Sequence, residues 1–104
     1  MGETIKALLL GDIIGQAGCR ALFIHLQKII KEHNVNFVVA NGENAADGFG
    51  IVPELAEQIF SSGVHIITSG NHIWQKDEIL TMLEEDERLL RPLNYPSGVP
   101  GKGV

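Results

Sequence analysis

The chain has 104 residues, of which 44% are hydrophobic and 20% charged, with a formal net charge of −5 and a single cysteine. These values describe one small soluble domain over 1–104, with no internal disulfide, at home in a reducing cytoplasm. They argue against a membrane span, for want of a long apolar run, and against a broad electrostatic nucleic-acid surface. A small phosphate-bearing substrate stays compatible with the acidic balance if metal ions supply positive charge.

In chain order, Ile5–Leu10 predicts a short buried strand ending at Gly11-Asp12. Gly15 to Asn34 predicts a helix. Cys19, Leu22, Phe23, Leu26, Ile29, Ile30 and His33 recur at helical spacing, and Asn34 suits its C-terminal cap. Asn36–Ala40 predicts a second strand that ends at Asn41-Gly42-Glu43-Asn44, and the Gly-rich Ala45–Ile51 a flexible loop. Pro53 opens a second helix through Leu55, Ala56, Ile59 and Phe60, which stops at Ser61-Ser62-Gly63. Val64–Thr68 predicts a third strand, ending at Ser69-Gly70-Asn71-His72. A third helix is expected over Lys76–Glu85, with Ile79, Leu80, Met82 and Leu83 inward. Leu89–Arg91 suits a short strand, and the Pro- and Gly-rich remainder reads as a loop. The order β-α-β-α-β-α predicts an α/β fold with a mainly parallel sheet and helices on both faces.

Parallel strands bring their carboxyl ends to one edge, where ligands bind. This sequence places Gly11-Asp12, Gly42-Glu43-Asn44 and Gly70-Asn71-His72 at those ends. Each polar group follows a glycine, and every candidate ligand is an oxygen or nitrogen donor. Such a set suits Mn, Fe, Mg or Zn ions. Neighbouring strands lie about 4.8 Å apart, so three turns can converge on one or two ions, with Glu43 placed to bridge a pair. Asp, Asn and Gly are also ordinary turn residues, and Asn71 could simply cap the third helix. Glu43 is not a favoured turn residue, and the joint occurrence at three strand ends favours a site.

The segments GDIIGQAGCRAL, NGENAADGFG, SGNHIWQKDEI and RPLNYPSGVPGKG together resemble the bacterial YmdB-like metallophosphoesterases of the calcineurin-like superfamily, from Ile5 to Gly103. The middle motif, GEN, is the mark of that family. The resemblance implies two divalent metal ions, with Asp12, Glu43, Asn44 and Asn71 as ligands and Glu43 bridging. It implies that His72 stands beside the phosphate and stabilises the transition state or protonates the departing oxygen. It implies hydrolysis of phosphodiesters such as 2′,3′-cyclic nucleotides. Members of the family are longer, and their second half supplies further metal-binding histidines. Residues 1–104 are therefore expected to be an incomplete N-terminal part of an α/β sandwich. An exposed apolar sheet edge or face would follow, with self-association or pairing with the C-terminal half. A different class of reading, a non-catalytic α/β binding or interaction module, stands beside the enzyme.

Other signals are weaker. Gly11, Gly15 and Gly18 have the wrong spacing for a dinucleotide fingerprint, and GVPGKG lacks the residues of a phosphate-binding loop. His25, His33 and His65 fall away from the predicted edge, and Cys19 reads as a packed small residue. Trp74 either packs the third helix or walls the site. Ala46 to Phe49 either contacts a nucleotide or simply connects elements.

Overall fold

Three apolar segments pair in parallel to form the centre of the computed structural model, which describes residues 2–104. The strands are β1 (Ala7–Asp12), β2 (Phe37–Asn41) and β3 (Ile66–Thr68), in spatial order β1-β2-β3. Helices α1 (Gly15–His33) and α2 (Pro53–Ser61) make the crossovers. Beyond β3, two short 3₁₀ turns, Asn71–Trp74 and Asp77–Ile79, lead into α3 (Leu80–Glu85). The single predicted third helix is thus split: only its last two turns are α-helical.

α1 follows from its sequence. Its apolar stripe buries Cys19, Leu22 and Leu26, and Asn34 ends it in the left-handed conformation, φ 53°. Asn tolerates that conformation better than most residues, which is why it serves as a cap. α2 begins with Pro53 in its first turn, where a missing N–H costs nothing, and buries Ala56, Ile59 and Phe60.

Both crossovers step to the next strand in the same direction. Right-handed connections then place α1 and α2 on one side of the sheet, where they pack on each other. This corrects the expectation of helices on both faces. The side-chain alternation agrees: Val38, Ala40 and Ile67 are buried towards the helices, while Leu9, on the opposite face, is 74% exposed. β1 is therefore not the buried strand its composition suggested. It starts at Ala7, leaves Ile5 and Lys6 exposed, and forms the open edge of the sheet. At the other edge, Leu89 occupies the position of a fourth strand through a single parallel bridge to Ile67, with Ile67 N–H donating to Arg88 O and Leu90 N–H to Ile67 O.

The tail is packed as well as irregular. Arg91, buried, donates from Nε to Gly101 O at 3.1 Å and from Nη1 to Pro92 O at 2.8 Å, and Trp74 Nε1 donates to Pro100 O. Trp74 also packs on the core and against the Tyr95 ring at 4.7 Å, so packing is its role here. No helix among the described residues is long and apolar enough to cross a membrane.

Asp86 ends α3 and holds Arg88 in a two-pronged ion pair, Nε to Oδ1 at 2.9 Å and Nη2 to Oδ2 at 2.6 Å, while the guanidinium lies over Phe60. The hydrogen bond from Arg88 holds the Asp86 carboxyl below its ordinary value of 3.8. A depressed folded-state pKa stabilises the native protein fully above the ordinary Asp value, and that contribution is lost as pH falls through the depressed one. Asp86→Asn is expected to lower the urea midpoint at pH 7 by the equivalent of about 0.5–1 kcal/mol. At a pH below the ordinary Asp value the gap between variant and wild type should narrow.

Candidate functional site

The three strand ends are tied together by backbone before any side chain acts. Ile13 N–H donates to Asn41 O, Gly42 N–H to Thr68 O, and Gly15 N–H to Asn44 O, each at 3.0 Å. The β1–β2 register slips by one residue: Leu10 stands opposite Ala40, and Asp12 stands opposite Asn41. Gly11 is the extra residue. Such a bulge re-aims the side chain that follows, and here it sets Asp12 opposite Asn41, the last residue of β2.

On that frame five side chains meet in a row. Asn44 Nδ2 donates to Asp12 Oδ2 at 2.8 Å, and Asn44 Oδ1 faces His72 Nδ1 at 2.5 Å. His72 Nδ1 is also 3.5 Å from Glu43 Oε2, and the His72 backbone N–H donates to the same oxygen at 3.3 Å. Asn41 completes the row, donating from Nδ2 to Glu43 Oε1 while its Oδ1 accepts from Glu43 N–H. The polarity of this row is fixed from one end. A carboxylate accepts only, so the Asn44 amide must turn its nitrogen to Asp12 and its oxygen to His72. The imidazole then meets two acceptors at Nδ1 and keeps its proton there. Nε2 remains available to give or take a proton.

Glycine makes one of these contacts possible. A Cβ at Gly70 would stand 2.6 Å from Glu43 Oε2 and closer still to Oε1. Only a residue without a side chain lets the carboxylate lie against the β3 turn.

Of the residues singled out by sequence, Asp12, Glu43, Asn44 and His72 are linked in this way. Asn71 shares the His72 turn but is exposed, and its side chain makes no hydrogen bond among the described residues. It does not cap a helix, since Gly70 occupies that position. His65 lies at the far end of β3, stacks on Phe37, and accepts from Val38 N–H through Nδ1. His33 ends α1, exposed; His25, also exposed on α1, shares with Asp12 only a groove along the outer edge of β1. Cys19 is buried with Sγ towards Ala45 O, and burial pushes its thiol up from the ordinary value. That is a packed thiol and not a nucleophile. Asn41 was missed as a member of this region, whereas Phe49 belongs to the Ala46–Phe49 loop that the sequence left open between nucleotide contact and plain connection. Asn41 was legible only as the last residue of a strand. Phe49 sets its ring edge-on to His72, centroids 6.0 Å apart.

The donors suit a hard divalent cation in kind. Asp12 and Glu43 are carboxylates without a Lys or Arg partner among the described residues, and Asn adds amide oxygen. In number they are few: the described residues contain no group of three or more His, Cys, Asp or Glu arranged to hold a metal.

Comparison with known proteins locates the chain. The family model described as YmdB-like protein matches residues 8–104. A 2′,3′-cyclic-nucleotide 2′-phosphodiesterase of Bacillus subtilis is 36% identical over 100 residues, which is 96% of this chain and 38% of the relative. A crystal structure of a novel phosphatase from Mycoplasma pneumoniae superposes with a TM-score of 0.92 at 31% identity, over 99% of this chain and 38% of that one. A hypothetical protein of Thermus thermophilus superposes with a TM-score of 0.85 at 41% identity, over 93% of this chain and 37% of that one. The chain therefore spans well under half the length of these relatives.

Gly70→Ala is expected to push the Glu43 carboxylate, the end of a flexible side chain, off the His72 backbone N–H and to cost about 1–2 kcal/mol through the hydrogen bonds lost. Gly11→Ala, whose Cβ would meet nothing within 4 Å, should cost under about 1 kcal/mol. Urea unfolding of the two variants side by side measures the difference.

Proposed function

Because the chain belongs to the YmdB-like family, we propose that it forms part of a metal-dependent phosphodiester hydrolase acting on 2′,3′-cyclic nucleotides or related small phosphodiesters. The observation that carries this reading is the continuous row Asp12–Asn44–His72–Glu43 at the carboxyl edge of the sheet. The Bacillus subtilis relative, named for that activity, aligns over 96% of this chain.

In this reading Asp12, Glu43, Asn44 and Asn71 would hold divalent ions (Mn, Fe, Mg or Zn). Bound there, the ions would supply an activated hydroxide and offset charge on the phosphoryl oxygens. The remaining ligands come from outside these residues, and the open face of the sheet is covered by the same additional chain.

The chain's own contribution is proton control. Asp12 orients the Asn44 amide, and Asn44 keeps the proton of His72 on Nδ1. Nε2 is then the nitrogen that meets the substrate. In its imidazolium form, with a proton on each nitrogen, the ring can give the Nε2 proton to the departing ribose O2′ as the P–O2′ bond breaks and a water-derived oxygen bonds to phosphorus, leaving a nucleoside 3′-phosphate and an imidazole protonated on Nδ1 alone. Glu43 holds the imidazole from its other side through the backbone N–H and Nδ1, which fixes the ring against rotation. Asp12 and Asn44 are thus positioning residues for His72 as well as candidate ligands.

The test uses the complete gene product with Mn and adenosine 2′,3′-cyclic phosphate. Hydrolysis is expected, and a chelator should abolish it. His72→Ala should cut kcat by about 10²–10⁴ with metal content retained, whereas Asn71→Ala should lower metal content. Equal metal loss in both variants would contradict these roles. No hydrolysis by the metal-loaded wild type would favour a non-catalytic module.

A further inference from the structure

We propose that Phe49 is the platform on which the nucleobase of the substrate stacks beside His72. The inference rests on the phosphodiesterase reading and extends it by naming what the site recognises besides phosphate.

Phe49 lies on the loop between β2 and α2, and that loop is not the flexible connector its glycines suggested. Gly48 N–H donates to Asn44 O at 3.0 Å, Phe49 N–H to Ala46 O at 2.9 Å, and Ala46 N–H to Gly50 O at 2.9 Å. Asp47, Gly48 and Gly50 all take left-handed backbone angles, φ 54°, 88° and 77°. Gly50 lies so close to the His72 turn that a Cβ there would be 3.1 Å from Gln75 Cβ and 3.2 Å from His72 O. The loop is therefore a clasp, anchored at one end on Asn44 and at the other against the segment that carries His72.

What this clasp presents is an aromatic ring that is 59% exposed. The Phe49 ring meets His72 edge-on, at 66° between planes, and much of the ring surface stays open. The ring thus stands beside the residue assigned to the phosphate. In a nucleotide the base is one ribose away from the phosphate, so a base extending past His72 meets this ring. Aromatic–base stacking is tolerant of base identity, because every base has a π face. The net charge of −5 on these residues disfavours a polynucleotide tract across this surface, and the proposal takes a mononucleotide as the ligand.

The test measures equilibrium binding, without turnover, on the complete gene product loaded with Mn. The probes are adenosine 3′-phosphate and methyl riboside 3-phosphate, which lacks the base. Wild type is expected to prefer the base-bearing probe, and Phe49→Leu should reduce that preference by about 5- to 100-fold. Phe49→Trp should restore it. Leucine keeps an apolar cover over His72 but offers no π face, so a purely structural role would leave the ratio unchanged. No preference in the wild type, or an unchanged ratio in Phe49→Leu, overturns the proposal. Hydrolysis of adenosine 2′,3′-cyclic phosphate is measured separately. Its failure would remove the phosphodiesterase reading while the Kd ratio still decides the base platform.

Discussion

The backbone hydrogen bonds that continue past the strand ends, Ile13 N–H to Asn41 O and Gly42 N–H to Thr68 O, are what the rest of the site depends on. They hold three turns from distant parts of the sequence at neighbouring positions, before any side-chain contact forms. Parallel pairing makes this possible, since it puts all three carboxyl ends at one edge. The bulge at Gly11 refines it by setting Asp12 back one position, opposite Asn41 instead of Gly42.

From this frame the polar row takes its direction. A carboxylate at one end orients an amide, the amide orients an imidazole, and a second carboxylate holds the imidazole from the other side. Each step follows from which atoms can donate and which can only accept. The glycines matter through what they leave out. Gly70 gives the Glu43 carboxylate room against the third turn, and Gly50 lets the Phe49 loop close onto the His72 segment.

The same topology that builds the edge leaves one face of the sheet bare. Successive right-handed crossovers in one direction put α1 and α2 on a single side, and Leu9 on the other side is largely exposed. The bare face is apolar where β1 forms the edge, and the relatives that match this chain are far longer than it. Edge and face follow from one structural fact: the strand order β1-β2-β3 with both crossovers running the same way, which leaves a sheet with its helices on one side and the polar row at its rim.

The sequence by itself determined the element order, the parallel sheet, the three polar turns and the identity of Asp12, Glu43, Asn44, Asn71 and His72 as their notable residues. These are local properties, carried by apolar periodicity, by Pro53 and Asn34 at helix ends, and by glycine before each polar group. Family membership was legible for the same reason, because the motifs lie in short contiguous stretches. Tertiary structure alone decided the rest. The side of the sheet on which the helices lie depends on strand order, which no single segment encodes. The exposure of β1 depends on its place at the edge, not on its Ala-Leu-Leu-Leu composition. The Asn41 contacts, the Asn44–His72 pairing and the approach of Phe49 to His72 join residues through register, a one-residue bulge and left-handed loop angles. Those are properties of the assembled backbone, and a list of residues does not contain them.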